Sequence, residues 1–165
     1  MTSTVMTPAK GERAVRHWSM RALRLLWRRP GDFFRALHMV TLIVAGAILV
    51  RLTSVRATLS LLVRRPGARP VSPVEVQRRV ALLDGVITVL KRSSPLLSPT
   101  CWERAIVLQR IVASGGGEAD VALGVRPGPR GAVEGHAWVE RDGAPLFEPT
   151  GPGYRTAFVF KAPAA

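Results

Sequence analysis

The chain is poor in cysteine and in acidic residues. Cys101 is the single cysteine among 165 residues, so no disulfide framework within the chain supports the fold. A reducing, cytoplasmic setting is therefore expected. Only 11 Asp and Glu stand against 24 Lys and Arg, which gives a net charge of +13. Because 47% of the residues are hydrophobic, a wholly disordered chain is excluded, and this length favours one domain with a real core.

The positive charge lies mainly in the first part of the sequence. Residues 1–70 hold 13 Lys and Arg against Glu12 and Asp32, a balance of +11. Residues 71–165 hold 11 against 9, a balance of +2. A basic segment attracts anionic lipid, nucleic acid or an acidic protein. The sequence contains no recognisable nucleic-acid-binding module, so no nucleic-acid partner is expected.

Long hydrophobic runs are also lacking. The uncharged run from Ala36 to Val50 contains 15 residues before Arg51 interrupts it, whereas a membrane-spanning helix needs about 20. A longer, tilted span would require Arg51 and Arg56 to snorkel. The run starts late and no small-residue cleavage site follows it, so a signal peptide is not expected. We therefore expect a buried or surface-lying helix.

The first 70 residues are predicted to be helical. A basic amphipathic helix is indicated by apolar residues at helical spacing among arginines, namely Val15, Trp18, Ala22 and Leu25. A long apolar helix follows over residues 32–65, with a break predicted near Gly46 or Thr53-Ser54. The segment Pro66 to Pro70 is rich in Pro and Gly and predicts a domain boundary. The expected domains are a basic helical region, 1–70, and a core domain, 71–165.

The core domain is predicted to belong to the α+β class. Two helices, from residue 73 to 92 and from residue 101 to 114, each begin with a capping box. After the triple glycine at 115–117 the apolar period changes from about 3.6 to 2, which predicts strands. The predicted strands cover residues 121–125, 132–140, 144–148 and 155–161. Helices followed by an antiparallel sheet are typical of α+β domains.

Cys101 is a candidate nucleophile because of its position. With Thr100 as N-cap, Cys101 is the first residue of a helix, where free backbone N–H groups and the helix dipole favour a negative charge. The thiolate is the reactive form of cysteine. The alternative role is that of a small buried apolar residue, because free cysteine is among the most buried residue types.

A predicted hairpin supplies partners for this thiol. If Arg141-Asp142-Gly143 forms a three-residue loop, Glu140 pairs with Ala144 and His136 lies opposite Glu148. Facing side chains of an antiparallel pair are close enough for a carboxylate to hold an imidazole. Cys101, His136 and Glu148 would then form a nucleophile, base and orienting acid. An ordinary strand histidine is the alternative.

No metal or cofactor is expected from the sequence. One cysteine and one nearby histidine are too few for a structural zinc site, which needs four ligands. The triple glycine ends a helix and is not followed by Gly-Lys-Ser/Thr, so it does not form a phosphate-binding loop.

Three blocks occur in order, "SPTCWERAIVLQRIV", "VALGVR" and "GHAWVERDGAPLFEPTG". Together, over roughly residues 71–155, they resemble the transglutaminase-like cysteine peptidase superfamily, and within it the leader peptidases of lasso peptide biosynthesis. The resemblance implies a papain-like core in which a catalytic helix packs on a small antiparallel sheet. It assigns Cys101 as nucleophile, His136 as base and Glu148 as acid. The family usually has Asp at the third position. Asp142 is the competing acid, although its place in a turn predicts turn chemistry.

The resemblance also implies a reaction and partners. A thiol peptidase of this kind removes the leader from a ribosomally made precursor peptide through an acyl-enzyme on Cys101. A separate leader-recognition protein and an ATP-dependent macrocyclase are the implied partners, since no recognition domain is visible in the sequence. The basic N-terminal helices would receive the partner, the precursor or a membrane surface. Acyl or amide transfer by the same triad and a non-catalytic, membrane-associated scaffold remain the alternatives.

Overall fold

The computed structural model describes residues 30–67, 70–93, 98–147 and 153–162. The predicted basic helix around residues 15–25 and the predicted acid Glu148 lie outside the described residues. The chain divides into two compact units, 1–37 and 38–165. In the described part of the first unit, Arg35 forms an ion pair with Asp32 at 3.3 Å.

Four helices precede the sheet in the described part of the chain: α1 Pro30–Leu52, α2 Val55–Leu62, α3 Pro73–Ser93 and α4 Cys101–Ser114. The break predicted at Thr53-Ser54 is confirmed. Ser54 caps α2, and its side chain accepts a hydrogen bond from the Ala57 N–H at 3.2 Å. The helix α1 continues through Gly46, where a β-carbon would lie 3.5 Å from Cγ of Glu103. That distance is an ordinary van der Waals contact, so a β-carbon would fit where α1 packs against α4.

Among the described helices, α1 is long and apolar enough to cross a membrane. It has 23 residues, and only 22% of its most apolar 18-residue window is buried. The helix is longer than the uncharged run from Ala36 to Val50. It begins at Pro30 and includes Arg51 in its last turn, where a cation is favourable. Length and composition are weak evidence for a span, because the core helix of a soluble protein meets the same criteria.

The sheet contains β1 Asp120–Pro127, β2 Val133–Arg141, β3 Ala144–Pro145 and β4 Arg155–Phe160, in the order β3-β2-β1-β4. Every neighbouring pair is antiparallel. The predicted α+β class is therefore confirmed. The third strand is shorter than predicted and ends at Pro145. Two residues later, Phe147 has a φ of 68°, which lies outside the extended conformation.

The helix α4 packs against the sheet to form the core. Ala105, Leu108 and Val112 follow one another at helical spacing and are buried in one cluster with Ala137 and Val139 of β2. Successive residues of a strand point to opposite faces. Ala137 and Val139 therefore face the core, and the even-numbered residues of β2 lie on the other face of the sheet.

The predicted boundary near residue 70 falls inside this core region. The fully buried Gln109 of α4 accepts a hydrogen bond from the Arg64 N–H at 3.1 Å and donates to the Arg64 carbonyl at 2.8 Å. Leu59 and Leu83, which lie on either side of residue 70, are both fully buried in the same cluster. The segment therefore joins two parts of one core. The division into residues 1–70 and 71–165 stays a prediction that these contacts do not favour.

His38 on α1 is expected to make the fold less stable in mild acid. Partial burial, and then the positive charges of Arg110 and Arg64, lower the pKa of His38 from its ordinary value of 6.5. The unfolded chain therefore takes up this proton more readily, so the stability that His38 contributes is complete above pH 6.5 and is lost as the pH falls through the lowered pKa. Denaturant titrations between about pH 7.5 and pH 5 should show a smaller loss of stability in His38→Gln than in the wild type. Equal losses in both proteins would contradict this assignment.

Candidate active site

The first turn of α4 is fixed by a capping box, as predicted. The Glu103 carboxylate accepts a hydrogen bond from the Thr100 N–H at 2.8 Å and another from the Thr100 hydroxyl. The same hydroxyl accepts a hydrogen bond from the Trp102 N–H at 3.3 Å. Glu103 is buried. Its role is therefore to hold the start of α4, which leaves it outside the proposed chemistry.

Cys101 is the first residue of α4 and carries a free, half-buried thiol. It precedes Ala105 by four residues and Leu108 by seven, so it continues the stripe of α4 that packs on the sheet. Its side chain contacts the edge of the hydrophobic core. Backbone N–H groups without partners inside the helix lie at this end of α4. Cys101 thus combines a packing contact with a setting that suits a nucleophile.

The hairpin differs from the prediction by one residue. Arg141 pairs with Ala144 and Glu140 with Pro145, so the loop has two residues, Asp142 and Gly143. Their φ angles of 51° and 77° are both positive, as a type I′ turn requires, and Asp-Gly is a preferred sequence for it. The geometric argument that put Glu148 opposite His136 is therefore wrong. Glu148 remains a candidate acid through the resemblance alone, and Asp142 has the turn role that was predicted for it.

His136 lies in the first half of β2, where it pairs with Gly124 of β1. Its ring stacks on the Trp138 ring, with centroids 6.1 Å apart. It also contacts the Tyr154 ring, and the centroids of these two rings are 5.2 Å apart. These partners lie on the face of the sheet that does not carry Ala137 and Val139. The imidazole thus contacts two aromatic rings.

The topology brings Cys101 and His136 to the same end of the α/β layer. The chain reverses between α4 and β1, and again between β1 and β2, so the first residues of α4 and of β2 lie at one end. Their side chains approach from different faces of the sheet. Among the hydrogen bonds of the described residues, none joins the Cys101 thiol to the His136 ring.

Charged groups anchor both ends of the aromatic cluster around His136. At one end, the Arg126 guanidinium lies 4.6 Å from the centroid of the Tyr154 ring and pairs with Glu134 at 2.7 Å. Its hydrogen bond to Glu134 is the largest cause of a raised Arg126 pKa. At the other end, the buried Glu140 carboxylate accepts a hydrogen bond from the Trp138 indole N–H at 3.0 Å. We name Arg126, Tyr154, His136 and Trp138 the His136 stack.

Sequence reasoning missed most of this stack. Trp138 and Glu140 follow His136 at intervals of two, which places all three on one face of a strand. That spacing was a usable signal. Tyr154 lies 18 positions beyond His136, and no local pattern connects the two residues.

A cavity of about 360 Å³ lies behind the first turn of α4, on the side of α1. Its lining is mainly apolar and includes Ile43, Ala47, Val50, Leu90, Pro99 and Trp102. Cys101 is not part of the lining, because it faces the sheet. The cavity is therefore not aligned with the thiol.

The Trp138 ring packs so closely against Gly124 that this strand position has no room for a side chain. In Gly124→Ala the new β-carbon would lie 2.7 Å from Cη2 and Cζ3 of Trp138. Such overpacking costs about 1 to 3 kcal/mol, so we expect a lower free energy of unfolding and an altered near-ultraviolet circular dichroism spectrum. Gly135→Ala is the matched control, because nothing lies within 4 Å of its added β-carbon. Indistinguishable behaviour of the two variants would refute the close contact.

A family model of the transglutaminase-like superfamily matches residues 39–159. The chain therefore belongs to the transglutaminase-like superfamily. Proteins of this superfamily are in general cysteine-dependent enzymes and include papain-like peptidases and acyltransferases. Comparisons with curated proteins and with solved structures gave no match. Within the matched range, a helix that begins at Cys101 packs on the antiparallel sheet that carries His136.

Proposed function

We propose that this protein is a cysteine peptidase that removes the leader from a ribosomally made lasso peptide precursor. The observation that carries the proposal is the place of Cys101 at the capped start of α4 in a chain of the transglutaminase-like superfamily. The three sequence blocks around Cys101, β1 and His136 favour the leader peptidases within that superfamily.

The proposed reaction has two steps. The Cys101 sulfur attacks the carbonyl carbon of the last leader residue, and His136 takes the thiol proton and passes it to the leaving amine. The core peptide leaves with a free amine, and the leader stays on Cys101 as a thioester. Water, deprotonated by His136, then hydrolyses the thioester and restores the thiol. The backbone N–H of Cys101 is the proposed oxyanion donor.

The reaction requires the imidazole to reach the thiol. Catalytic hydrogen bonds are often long or poorly aligned without substrate and tighten in the complex. Cys101 and His136 lie at the same end of the layer, but the alternation of β2 places their side chains on different faces of the sheet. The mechanism therefore needs the start of β2 to carry the imidazole, together with the rings that stack on it, towards the thiol. Glu148 is the proposed acid that orients the ring.

The proposed partners follow from the same assignment. A separate recognition protein would hold the leader, and a separate ATP-dependent macrocyclase would use the free amine of the core peptide. The basic first part of the chain, with 13 Lys and Arg in residues 1–70, would contact an acidic partner, the precursor or an anionic membrane surface.

Product analysis in ¹⁸O-labelled water tests the proposal. Precursor, recognition protein and this protein are incubated together, and both fragments are weighed by mass spectrometry. We expect an intact core peptide and a leader whose new carboxyl group carries one ¹⁸O atom. A leader joined to an added amine would instead indicate acyl transfer. No cleavage of the precursor, with a thiol that is shown to be free, would favour a non-catalytic scaffold.

A further inference from the structure

The buried Glu140 carboxylate accepts one hydrogen bond from the residues that the structure describes. Its side chain belongs to a residue only 7% exposed, and burial of a carboxylate is costly unless it is hydrogen-bonded. In the part of the chain that the structure describes, the Trp138 indole N–H at 3.0 Å is the one donor to it. The Glu140 carboxylate therefore serves as the hydrogen-bond acceptor of one buried indole ring.

That ring in turn limits where His136 can lie. Trp138 is 3% exposed, and Cη2 and Cζ3 of its indole rest on the bare α-carbon of Gly124, the residue paired with His136. The planes of the indole and the imidazole differ by 23°, which is a stacked arrangement. Tyr154 bounds the imidazole as a second ring.

We propose that Glu140 is a positioning residue for His136, acting through the Trp138 indole. The carboxylate fixes the indole by its N–H, and the fixed indole restricts the imidazole to a narrow set of orientations from which it serves Cys101. This inference rests on the proposed function for its catalytic consequence, whereas the restriction of the ring can be measured without substrate.

The two carboxylates that bond to the His136 stack, Glu134 and Glu140, are not equivalent. Glu134 and Arg126 are both partly exposed, with side chains 38% and 36% accessible, and exposed ion pairs contribute little. Glu140 is buried and its loss leaves a buried indole N–H without an acceptor. Loss of the Glu140 carboxylate is therefore expected to affect His136 more than loss of the Glu134 carboxylate.

The test compares Glu140→Leu, which removes the acceptor, with Glu140→Gln, which keeps a carbonyl acceptor for the indole. The control is Glu118→Leu, at an exposed position outside the stack. Ring protons of His136, identified by their loss in His136→Gln, are recorded by NMR. In the wild type and in Glu140→Gln they should be displaced upfield by the neighbouring rings, and in Glu140→Leu they should move towards the values of free histidine.

Kinetics of leader removal give the second readout. We expect Glu140→Leu to lower kcat about tenfold or more while KM changes less than about threefold. Glu140→Gln and Glu118→Leu should stay within about threefold of the wild type. Equal losses in Glu140→Gln and Glu140→Leu would overturn the proposal, because the acceptor would then not be what matters.

Trp138→Phe tests the same hydrogen bond from the donor side and serves if Glu140→Leu does not fold. It keeps a stacked ring but removes the N–H, and it should reproduce the NMR shift and the loss in kcat. Unchanged ring signals in both variants would overturn the positioning role even if the wild type is an active peptidase. If the wild type removes no leader, the proposed function fails while the NMR comparison still decides the restriction of His136.

Discussion

Replacing Cys101 with alanine is expected to lower the rate of leader removal by about 10⁴-fold or more, because the acyl-enzyme cannot form without the sulfur. Cys101→Ser should be almost as inactive, since an alcohol is much harder to ionise than a thiol and its surroundings offer it no stronger base. The measurement is the initial rate of core peptide release, followed by mass spectrometry.

The control for both variants is a measurement of thermal stability. Cys101 is half-buried and contacts only the edge of the core, so both variants should keep the wild-type thermal midpoint within a few degrees, as expected for about 1 kcal/mol or less. Leader removal at the wild-type rate by well-folded Cys101→Ala would disprove the peptidase mechanism and favour the scaffold alternative.

His136→Gln is expected to lower kcat by about 10² to 10⁴-fold, because the thiol loses the group that takes its proton. Glutamine keeps a planar polar end in the His136 stack, so packing against Trp138 and Tyr154 is largely preserved. Alkylation of Cys101 by iodoacetamide at neutral pH should also slow, and this rate needs no precursor.

The matched control is His38→Gln, which removes the other histidine of the described chain from a site on α1. It should leave both kcat and the alkylation rate unchanged. If His38→Gln and His136→Gln slow alkylation equally, the effect would not be specific to His136, and His136 would lose its assignment as base.

The sequence predicted the parts of the fold that local chemistry decides. The capping box at Thr100 and Glu103, the break at Thr53-Ser54 and the change of period after the triple glycine each depend on residues within a few positions of one another. For that reason the helices after residue 30, the first strands and the position of Cys101 could be located without a structure.

The register of the hairpin could not be obtained in the same way. Asp142-Gly143 suits a two-residue turn and Arg141-Asp142-Gly143 suits a three-residue loop, and a slip of one residue moves every following side chain to the other face. The assumed loop put Glu148 opposite His136, whereas the observed pairing of Arg141 with Ala144 does not. The periodicity of apolar residues also could not predict contacts between distant positions, such as the contact of His136 with Tyr154.

The bonds made by Gln109 have a consequence for folding. They join α4 to Arg64, a residue 45 positions earlier, and the entropy of closing such a loop must be paid before the contact is made. Both bonds to Arg64 form only once the link between α2 and α3 has docked, whereas the amide also donates to the Ala119 carbonyl at 3.3 Å. A chain that began at residue 71 would bury the Gln109 amide oxygen without its donor, so we expect the part of α4 around Gln109 to become ordered late in folding and only with the earlier helices present.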